Sequence, residues 1–346
     1  MAKKVLVAKP LYKKFSPTGY KMLLDAGYDV VCTDLVRDYY LDELLPLIGD
    51  IDGCIANCEP WTREAMEAAP NVKILARYGT GMNSVDTEAA KERGIIVTNC
   101  PGVNANPVAE HIIMFILSAL RDLPRMNSMT KSGIWQNLNF HEVKGKTIGI
   151  LGGMGPLATA DLFRKITLLT DAARDNDHIR VYIGQLVGKK LTGFDCDVIA
   201  YDINPNYKAA KQFNVTFVGF EELMRRSDII CILVPLVPDT ENMINPESLA
   251  LTKPGVVIVT DARGEVVDEA AMYDALVSGH VAYFASDVFV NEPASPENTP
   301  LLTLPNVIAT SHNGAESFEN LENCGIMTAQ QIIDALEGRE PINRRV

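Results

Sequence analysis

A short apolar run that ends in a cluster of glycines constrains the fold of this chain more than any other stretch. Residues 146–151 form the run, and the turn 152–155 that follows it contains three glycines. Such a strand and turn are typical of the start of a dinucleotide-binding βαβ unit, because glycines let the next helix N-terminus approach a pyrophosphate. The unit closes about 20 residues later with an acidic residue after its second strand. Residues 198–201 followed by Asp202 fit this closing strand, but they come about 50 residues after the turn.

Apolar runs alternate with helix-like stretches over the remainder of the chain, which predicts a mostly parallel α/β architecture. With 346 residues, 47% of them hydrophobic, the chain is long enough to form two domains with large cores. The predicted strands span residues 5–8, 29–32, 53–56, 72–76, 94–99, 229–234, 256–260, 283–288 and 306–310. The predicted helices span residues 20–26, 41–48, 107–122, 220–226, 269–278 and 320–337.

Charge and hydropathy exclude several classes of function. The net charge of −12 and the pI near 5.0 argue against nucleic acid or a membrane surface as a partner, although a local arginine still allows an anionic substrate. We interpret the first residues as a strand rather than a signal peptide, and the longest apolar stretch, 112–120, is about half of a membrane span. The seven scattered cysteines indicate reduced thiols, so we expect a cytoplasmic enzyme.

Three residues with chemically active side chains follow successive predicted strands: Arg263, Glu292 and His312. Because the carboxyl ends of parallel strands face one crevice, these residues can meet although they are far apart in sequence. A guanidinium binds the carboxylate of a 2-keto acid and polarises its carbonyl, and an imidazolium protonates the carbonyl oxygen as hydride reaches the carbon. A carboxylate hydrogen-bonded to the imidazole favours its charged form. Each residue alone also fits a structural role in a turn, loop or strand end, so only their combination predicts this chemistry.

Two further features have a functional and a structural interpretation. The turn at residues 79–81, Gly-Thr-Gly, follows a predicted strand, and its backbone N–H groups are suited to hold a carboxylate, although the spacing alone favours an ordinary tight loop. The helix predicted at 107–122 is apolar on nearly all faces, which indicates that another domain or a second subunit covers it. We interpret His111 in this helix as a packed residue, because no cluster of carboxylates and histidines surrounds it, and we predict no metal site.

These residues and the motifs around them resemble the D-isomer-specific 2-hydroxyacid dehydrogenases, which include phosphoglycerate dehydrogenases and glyoxylate/hydroxypyruvate reductases. The resemblance covers nearly all of the chain except about residues 153–182. The motifs that carry it are Arg-Tyr-Gly-Thr-Gly at 77–81, Val-Ala-Glu-His at 108–111, Val-Lys-Gly-Lys-Thr-Ile-Gly at 143–149, Val-Pro at 234–235, Ala-Arg-Gly at 262–264, Asp-Val-Phe at 287–289, Glu-Pro at 292–293 and His312.

The resemblance implies two Rossmann-like parallel-sheet domains. Residues 1–103 and 314–346 are then a flavodoxin-like substrate-binding domain, and residues 104–313 are an NAD-binding Rossmann domain. It implies an NAD-dependent oxidoreductase that interconverts a small D-2-hydroxy acid and its 2-keto acid. It also implies a homodimer that forms through the region around the 107–122 helix.

The resemblance also assigns roles to residues. His312 is implied as the acid/base, Glu292 as its partner, and Arg263 as the group that binds and activates the substrate. The substrate carboxylate is implied to bind at Arg77, Tyr78 and Gly79, through the backbone of the last two. The implied cofactor-binding residues are Gly152, Gly153, Gly155, Gly184, Asp202, Val234, Pro235, Thr240 and Asp287. In this set Asp202 holds the adenosine ribose, which disfavours a 2′-phosphate and favours NAD over NADP, and Asp287 lies near the nicotinamide amide.

The chain departs from the family pattern at a few positions. Asp261 and Ala262 stand where the family often has small polar residues, and Ser311 stands where proline is common. The larger departure is an insertion at about residues 153–183, because removing about 27 residues before Ile183 restores the usual spacing from glycine to acid. The inserted stretch predicts a turn, a helix to about residue 170, a charged loop and a strand at 179–183. It resembles the amino-terminal segment of aspartate/glutamate racemases, but racemase activity is not expected, because the later cysteines of those enzymes have no counterpart here.

The insertion leaves two arrangements of the glycine turn open. In the first, the sheet is kept, the insertion bulges outward, and the helix that contains Gly184 stays against Asp202 with a weakened phosphate site. In the second, residues 153–158 form a replacement Gly-x-Gly-x-x-Ala turn, and the helix at 157–170 points at the pyrophosphate. The alternative to an active dehydrogenase is therefore a chimeric or decayed scaffold that binds its cofactor poorly.

Overall fold

A computed structural model shows the chain as two compact units, Met1–Asn104 with Glu316–Val346, and Ala105–Ala315. It describes residues 2–33, 37, 39–152, 182–203, 205, 207, 211 and 214–346. Each unit contains a parallel β-sheet, so the predicted fold class of two parallel-sheet α/β domains is confirmed. Within these residues, no helix combines the length and the apolar character that crossing a membrane requires.

Over the part of the first unit that the structure describes, the sheet has five parallel strands. They are β1 (Lys4–Val7), β2 (Asp29–Cys32), β3 (Gly53–Ala56), β4 (Ile74–Arg77) and β5 (Ile96–Thr98). Their order in the sheet is β2-β1-β3-β4-β5. The helices of this unit are Tyr12–Phe15, Pro17–Asp25, Leu41–Leu44, Arg63–Ala68, Thr87–Glu92 and Phe318–Leu336.

The helix Phe318–Leu336 belongs to the first unit although it comes from the end of the chain. Its buried residues Leu321 and Ile332 share one apolar cluster with Val5 and Val7 of β1. This burial of apolar surface is what holds the terminal helix on the first sheet.

The sheet of the second unit has seven parallel strands among the described residues. They are β6 (Thr147–Gly152), β7 (Asp197–Tyr201), β8 (Val215–Phe217), β9 (Ile229–Leu233), β10 (Val256–Thr260), β11 (Val281–Ser286) and β12 (Val307–Ala309). Their order is β12-β11-β10-β9-β6-β7-β8. The helices of this unit are Ala105–Leu120, Leu123–Lys131, Tyr182–Leu191, Phe220–Arg226, Pro246–Ala250 and Glu269–Val277.

Helices pack closely on this second sheet. Val187 and Leu191 of the helix Tyr182–Leu191 are buried in a cluster with Ile148 and Val198 from β6 and β7. On β6, a Cβ added to Gly149 would lie 2.2 Å from the Ser227 hydroxyl oxygen, so only glycine lets this segment approach the strand. The central strands β9 and β10 are buried along their whole length, as continuous apolar runs require.

The last two residues of one predicted strand lie in a helix, and one strand was missed. Residues 182 and 183 belong to a predicted strand at 179–183, but they lie in the helix that begins at Tyr182. Burial of the helix against the sheet outweighs the strand preference of the local sequence. The missed strand β8 has only three residues at the sheet edge, too few for a periodic signal. The rest of the proposed insertion, with Gly153 and Gly155, lies outside the described residues.

The predicted helix at 41–48 also ends earlier than expected. It is α-helical over Leu41–Leu44 and continues as a single 3₁₀ turn over Leu45–Leu47. Pro46 has no N–H and therefore cannot donate the next α-helical hydrogen bond.

Candidate active site

An imidazole and a carboxylate form an ion pair beyond the ends of β11 and β12. The Nδ1 of His312 lies 2.8 Å from Oε2 of Glu292. The backbone N–H of His312 donates to the carbonyl of Asp287 at 2.9 Å, and the residue adopts a left-handed conformation with φ 56°. A non-glycine residue in this conformation is strained, so its surroundings must hold it in place.

The pair favours its charged form. The hydrogen bond from Glu292 raises the pKa of His312, and the carboxylate charge outweighs the opposing effects of burial and of Arg263. Burial alone would raise the pKa of Glu292, but the hydrogen bond and charge of His312 outweigh it and leave that pKa lowered. The side chains are 51% and 39% exposed, so water screens the pair and substrate can reach it.

Arg263 follows β10 in the neighbouring loop. The residue is half-buried, one guanidinium nitrogen donates to the carbonyl of Ala262 at 2.6 Å, and its charge acts on both Glu292 and His312. The next residue, Gly264, lies against the backbone of the loop that leads to Glu292, since an added Cβ would be 2.1 Å from the carbonyl carbon of Phe289. The structure therefore brings Arg263, Glu292 and His312 together at one edge of the sheet.

Asp287 organises the loop that presents His312. The residue is 2% exposed. Its carboxylate accepts hydrogen bonds from the Thr310 hydroxyl, from the N–H of Asn313 at 2.8 Å and from the N–H of Gly314 at 2.7 Å. Three donors on one buried carboxylate fix the backbone of residues 310–314. A contact with the nicotinamide amide remains a prediction for this residue.

His111 and Asp261 form a second pair that the sequence interpretation missed. His111 Nδ1 lies 2.8 Å from Asp261 Oδ2, and one side-chain nitrogen or oxygen atom from each of His111, Asp261 and Asp287 lies within 4.8 Å of the other two. The expectation that no carboxylate cluster surrounds His111 is therefore wrong. The signal was present, because Asp261 directly follows a buried strand and departs from the family pattern. Burial alone would lower the pKa of His111, but the hydrogen bond and charge of Asp261 raise it.

The start of the glycine turn lies beside the predicted ribose-binding acid. Strands β6 and β7 pair in parallel with Leu151 opposite Tyr201. The two strands therefore deliver Gly152 and Asp202 to neighbouring positions, and a Cβ on Gly152 would lie 3.8 Å from Asp202 Oδ2. An acid at this position fits the adenosine ribose hydroxyls of NAD. Gly184 lies in the first turn of the helix Tyr182–Leu191, which packs on β6. The two arrangements of the glycine turn differ at residues 153–181, which lie outside the described residues.

The other predicted cofactor residues lie in the loop after β9. Val234 is 5% exposed and continues the buried strand. The Thr240 hydroxyl donates to the carbonyl of Pro235 at 2.6 Å and accepts from the N–H of Val237 at 2.9 Å. These bonds close the loop 235–240 at the same edge of the sheet, and a contact with the cofactor remains a prediction for these residues.

The predicted substrate residues lie at the end of β4 in the first unit. The backbone N–H of Tyr78 donates to Ala56 O at 2.7 Å, and that of Gly79 donates to Arg77 O at 3.0 Å. The Arg77 guanidinium donates to the Tyr78 carbonyl, and its Nε is buried without a partner. Gly79 has φ 136°, which only glycine adopts readily. Binding a carboxylate through these N–H groups would require them to exchange their present acceptors.

Comparison with known proteins identifies the family. A family model described as the D-isomer specific 2-hydroxyacid dehydrogenase NAD binding domain matches residues 182–314. The chain is 35% identical over 299 residues to the hydroxypyruvate reductase of Thermotoga maritima, an alignment that covers 85% of this chain and 88% of that protein. The chain belongs to the D-isomer specific 2-hydroxyacid dehydrogenase family. NAD is the cofactor of the matched domain.

Two further comparisons agree with this family. The chain is 35% identical over 339 residues to the D-3-phosphoglycerate dehydrogenase of Methanocaldococcus jannaschii, which is 97% of this chain and 58% of that protein. It spans about half the length of the D-3-phosphoglycerate dehydrogenases that it matches. Its fold matches the TT0316 protein of Thermus thermophilus with a TM-score of 0.83 at 28% identity, over 99% of this chain and 100% of that one.

Proposed function

We propose that this family member is an NAD-dependent oxidoreductase that interconverts a small D-2-hydroxy acid and its 2-keto acid. The observation that carries the proposal is the His312–Glu292 pair at 2.8 Å, with the charge of Arg263 acting on both residues. A partly exposed imidazolium beside a guanidinium suits a substrate that needs one proton at a carbonyl oxygen and one cation for its carboxylate.

In this proposal His312 is the acid and base. Because Nδ1 is engaged with Glu292, proton transfer uses the other ring nitrogen, Nε2. Glu292 keeps the ring oriented and favours the imidazolium that reduction needs. Arg263 holds and polarises the substrate, and its fork of donors suits a carboxylate and a neighbouring carbonyl.

NAD supplies or accepts the hydride when it is bound. Asp202 would hold the adenosine ribose hydroxyls, and its negative charge disfavours a 2′-phosphate. The backbone at Gly152 would lie near the pyrophosphate, and the loop 235–240 and Asp287 would lie toward the nicotinamide. Arg77, with the backbone at Tyr78 and Gly79, would bind the substrate carboxylate.

We also propose a homodimer, which apolar side chains near the helix Ala105–Leu120 support. Met114 and Leu117 on this helix are 43% and 38% exposed, and Trp135 and Ile134 beyond it are 91% and 50% exposed. Large exposed apolar side chains are typical of surfaces that bind another protein when they form one patch. A second copy of the chain would bury them.

An NADH titration tests whether the chain binds its cofactor. We expect a micromolar Kd, at least about tenfold weaker binding of NADPH, and weaker NADH binding by Asp202→Ala. Loss of the ribose hydrogen bonds costs on the order of 1.5–3 kcal/mol, which is about 10- to 100-fold in Kd. Failure of the wild-type protein to bind NADH would instead support the decayed-scaffold alternative.

A panel of 2-keto acids then tests the reaction. His312→Ala should abolish reduction of the substrate that the wild-type protein turns over, because general acid catalysis contributes about 10²–10⁴-fold. His141→Ala is the matched control, since His141 is an exposed histidine in the same unit. Equal turnover by the two variants would show that His312 is not the acid.

A further inference from the structure

The His111–Asp261 pair is more buried than the proposed active site, and the proposed function gives it no role. Its side chains are 13% and 1% exposed, whereas those of the His312–Glu292 pair are 51% and 39% exposed. It joins the helix Ala105–Leu120 to the segment that follows β10, two residues before Arg263. The pair is therefore a buried contact near the more exposed His312–Glu292 pair.

The Asp261 carboxylate depends on His111 for a close partner. Asp261 Oδ1 is buried and has no hydrogen-bond partner, so His111 supplies the close contact of this carboxylate within the described part of the chain. The Gly314 Cα faces both Asp261 and Asp287, because an added Cβ would lie 2.8 Å from one carboxylate and 3.1 Å from the other. Two buried carboxylates so close together repel each other unless a cation or proton compensates one of them. Burial raises the pKa of Asp261, and the hydrogen bond and charge of His111 oppose that rise, so a protonated His111 compensates the ionised Asp261 carboxylate.

A chain of contacts leads from this pair to His312. The second ring nitrogen of His111, Nε2, lies 3.5 Å from the Thr310 hydroxyl oxygen, and that hydroxyl donates to Asp287. Asp287 in turn accepts the backbone N–H of His312 through its carbonyl and that of Asn313 through its carboxylate. His312 needs such support because its backbone is left-handed, with φ 56°.

We propose that Asp261 and His111 are positioning residues for His312: the pair holds Thr310 and Asp287, and these hold the backbone that presents the catalytic imidazole. This inference rests on the proposed function, in which His312 is the acid and base. It adds to the Glu292 contact, which orients the ring, a second and more buried support that acts on the backbone.

The pair also predicts a pH signature. The titratable groups that act on it, among the described residues, are Asp287 and His312 from the neighbouring loops and Cys231 from β9. When His111 loses its proton at high pH, Asp261 remains as an uncompensated charge beside Asp287, and the loop 310–314 loses its support. The wild-type pH–rate profile should therefore contain an alkaline decrease in kcat beyond the titration of His312 itself.

Asp261→Ser tests this proposal, because it removes the carboxylate and introduces a small polar side chain. We expect kcat to fall about tenfold with KM within about twofold, and the additional alkaline step to disappear, since the loss affects orientation rather than substrate binding. Thr310→Val breaks the same chain of contacts at its middle. The kcat of the double variant should be no lower than that of the less active single variant, because the effects of residues that act as a unit are not additive.

Asp228→Ser is the matched control for a purely structural effect. Asp228 also pairs with a base, Lys253 at 2.8 Å, and accepts from the backbone N–H of Thr147 at 2.8 Å, in the same unit. Its loss should lower Tm and leave kcat and the pH profile unchanged. If Asp261→Ser behaves like Asp228→Ser, the pair is structural only and the proposal is wrong.

An NMR measurement separates this proposal from the proposed function. The His312 Cε1–H resonance should shift in Asp261→Ser and in Thr310→Val but not in Asp228→Ser, whether or not the protein turns over a substrate. If the wild-type protein reduces no 2-keto acid but the His312 resonance shifts in these variants, the proposed function is wrong. The positioning role of Asp261 and His111 is then still supported. An unmoved His312 resonance in an active protein with unchanged kcat would overturn the positioning pair alone.

Discussion

Replacing Gly264 by alanine tests how closely the proposed active site depends on the contact between its two loops. Gly264 directly follows Arg263, and it lies against the backbone of Phe289 and Val290 on the way to Glu292. A Cβ at this position would lie 2.1 Å from the carbonyl carbon of Phe289 and 2.3 Å from the nitrogen of Val290. Both are backbone atoms, so no side chain can rotate to make room.

The size of the disturbance follows from these distances. Ordinary van der Waals contact begins at 3.4 Å, so a methyl group 2.1 Å from the carbonyl carbon must push the loops apart by about 1.3 Å. Overpacking of this kind costs about 1–3 kcal/mol. For a domain of this size each kcal/mol lowers Tm by about 2–4 °C, so Tm should fall by about 2–12 °C. A misplacement of about 1 Å at a reacting group costs about 100-fold in rate, and we expect that loss in kcat/KM.

The assay compares Gly264→Ala with Gly193→Ala in thermal unfolding and in 2-keto acid reduction. Gly193 lies in the 3₁₀ turn Thr192–Phe194 of the same unit, and an added Cβ there meets nothing within 4 Å. The control should keep both Tm and kcat/KM. If Gly264→Ala also keeps both, the loops are not held by this close approach, and the reasoning from the glycine distances is refuted.

Three further predictions concern charge and assembly. Glu292→Gln removes the main cause of the raised pKa of His312, so the rate of keto-acid reduction should begin to decline at a lower pH than in the wild-type protein. At alkaline pH the rate should be about tenfold lower for each unit by which this pKa falls. An unchanged pH–rate profile would contradict this. Burial raises the pKa of Glu59 from 4.5 to about 7, so its stabilising contribution is complete below pH 4.5 and lost as pH rises through 7. Between pH 5 and pH 8, the free energy of unfolding in urea should fall by about 2.5 kcal/mol more in the wild-type protein than in Glu59→Gln. An equal fall in both proteins would contradict this. Replacing both Met114 and Leu117 by aspartate should convert the proposed dimer to a monomer in light scattering, whereas the exposed residue Val277, at 63%, should tolerate aspartate without dissociation.

The strands, the helices and the reactive residues that follow the strands could be predicted from the sequence, because each has a local signal. Continuous apolar runs predicted buried parallel strands such as β9 and β10, and both are buried throughout. Parallel topology then implies that residues after successive strands share one edge, and His312 and Glu292 indeed lie 2.8 Å apart.

Contacts that form only when separate segments pack together could not be predicted in this way. His111 lies on a helix more than a hundred residues before Asp261, and nothing in either segment alone shows that the two side chains meet. The burial of Glu59 is of the same kind, because its carboxylate is enclosed by the N–H of Asn57 and the indole N–H of Trp61 within a folded loop. Residues 182 and 183 show the same limit, since packing on the sheet made a helix where the local sequence favoured a strand.

The sequence by itself determined the two parallel α/β sheets, the family and the set of strand-end residues, because apolar runs, turn glycines and motifs are local features. Only the tertiary structure decided which of those residues lie in contact, how Asp287 and Gly264 hold the loops, and that His111 pairs with Asp261. The physical reason is that hydrogen bonds, burial and like-charge repulsion depend on distances of a few ångströms, and these are set only once the helices have packed on the sheet.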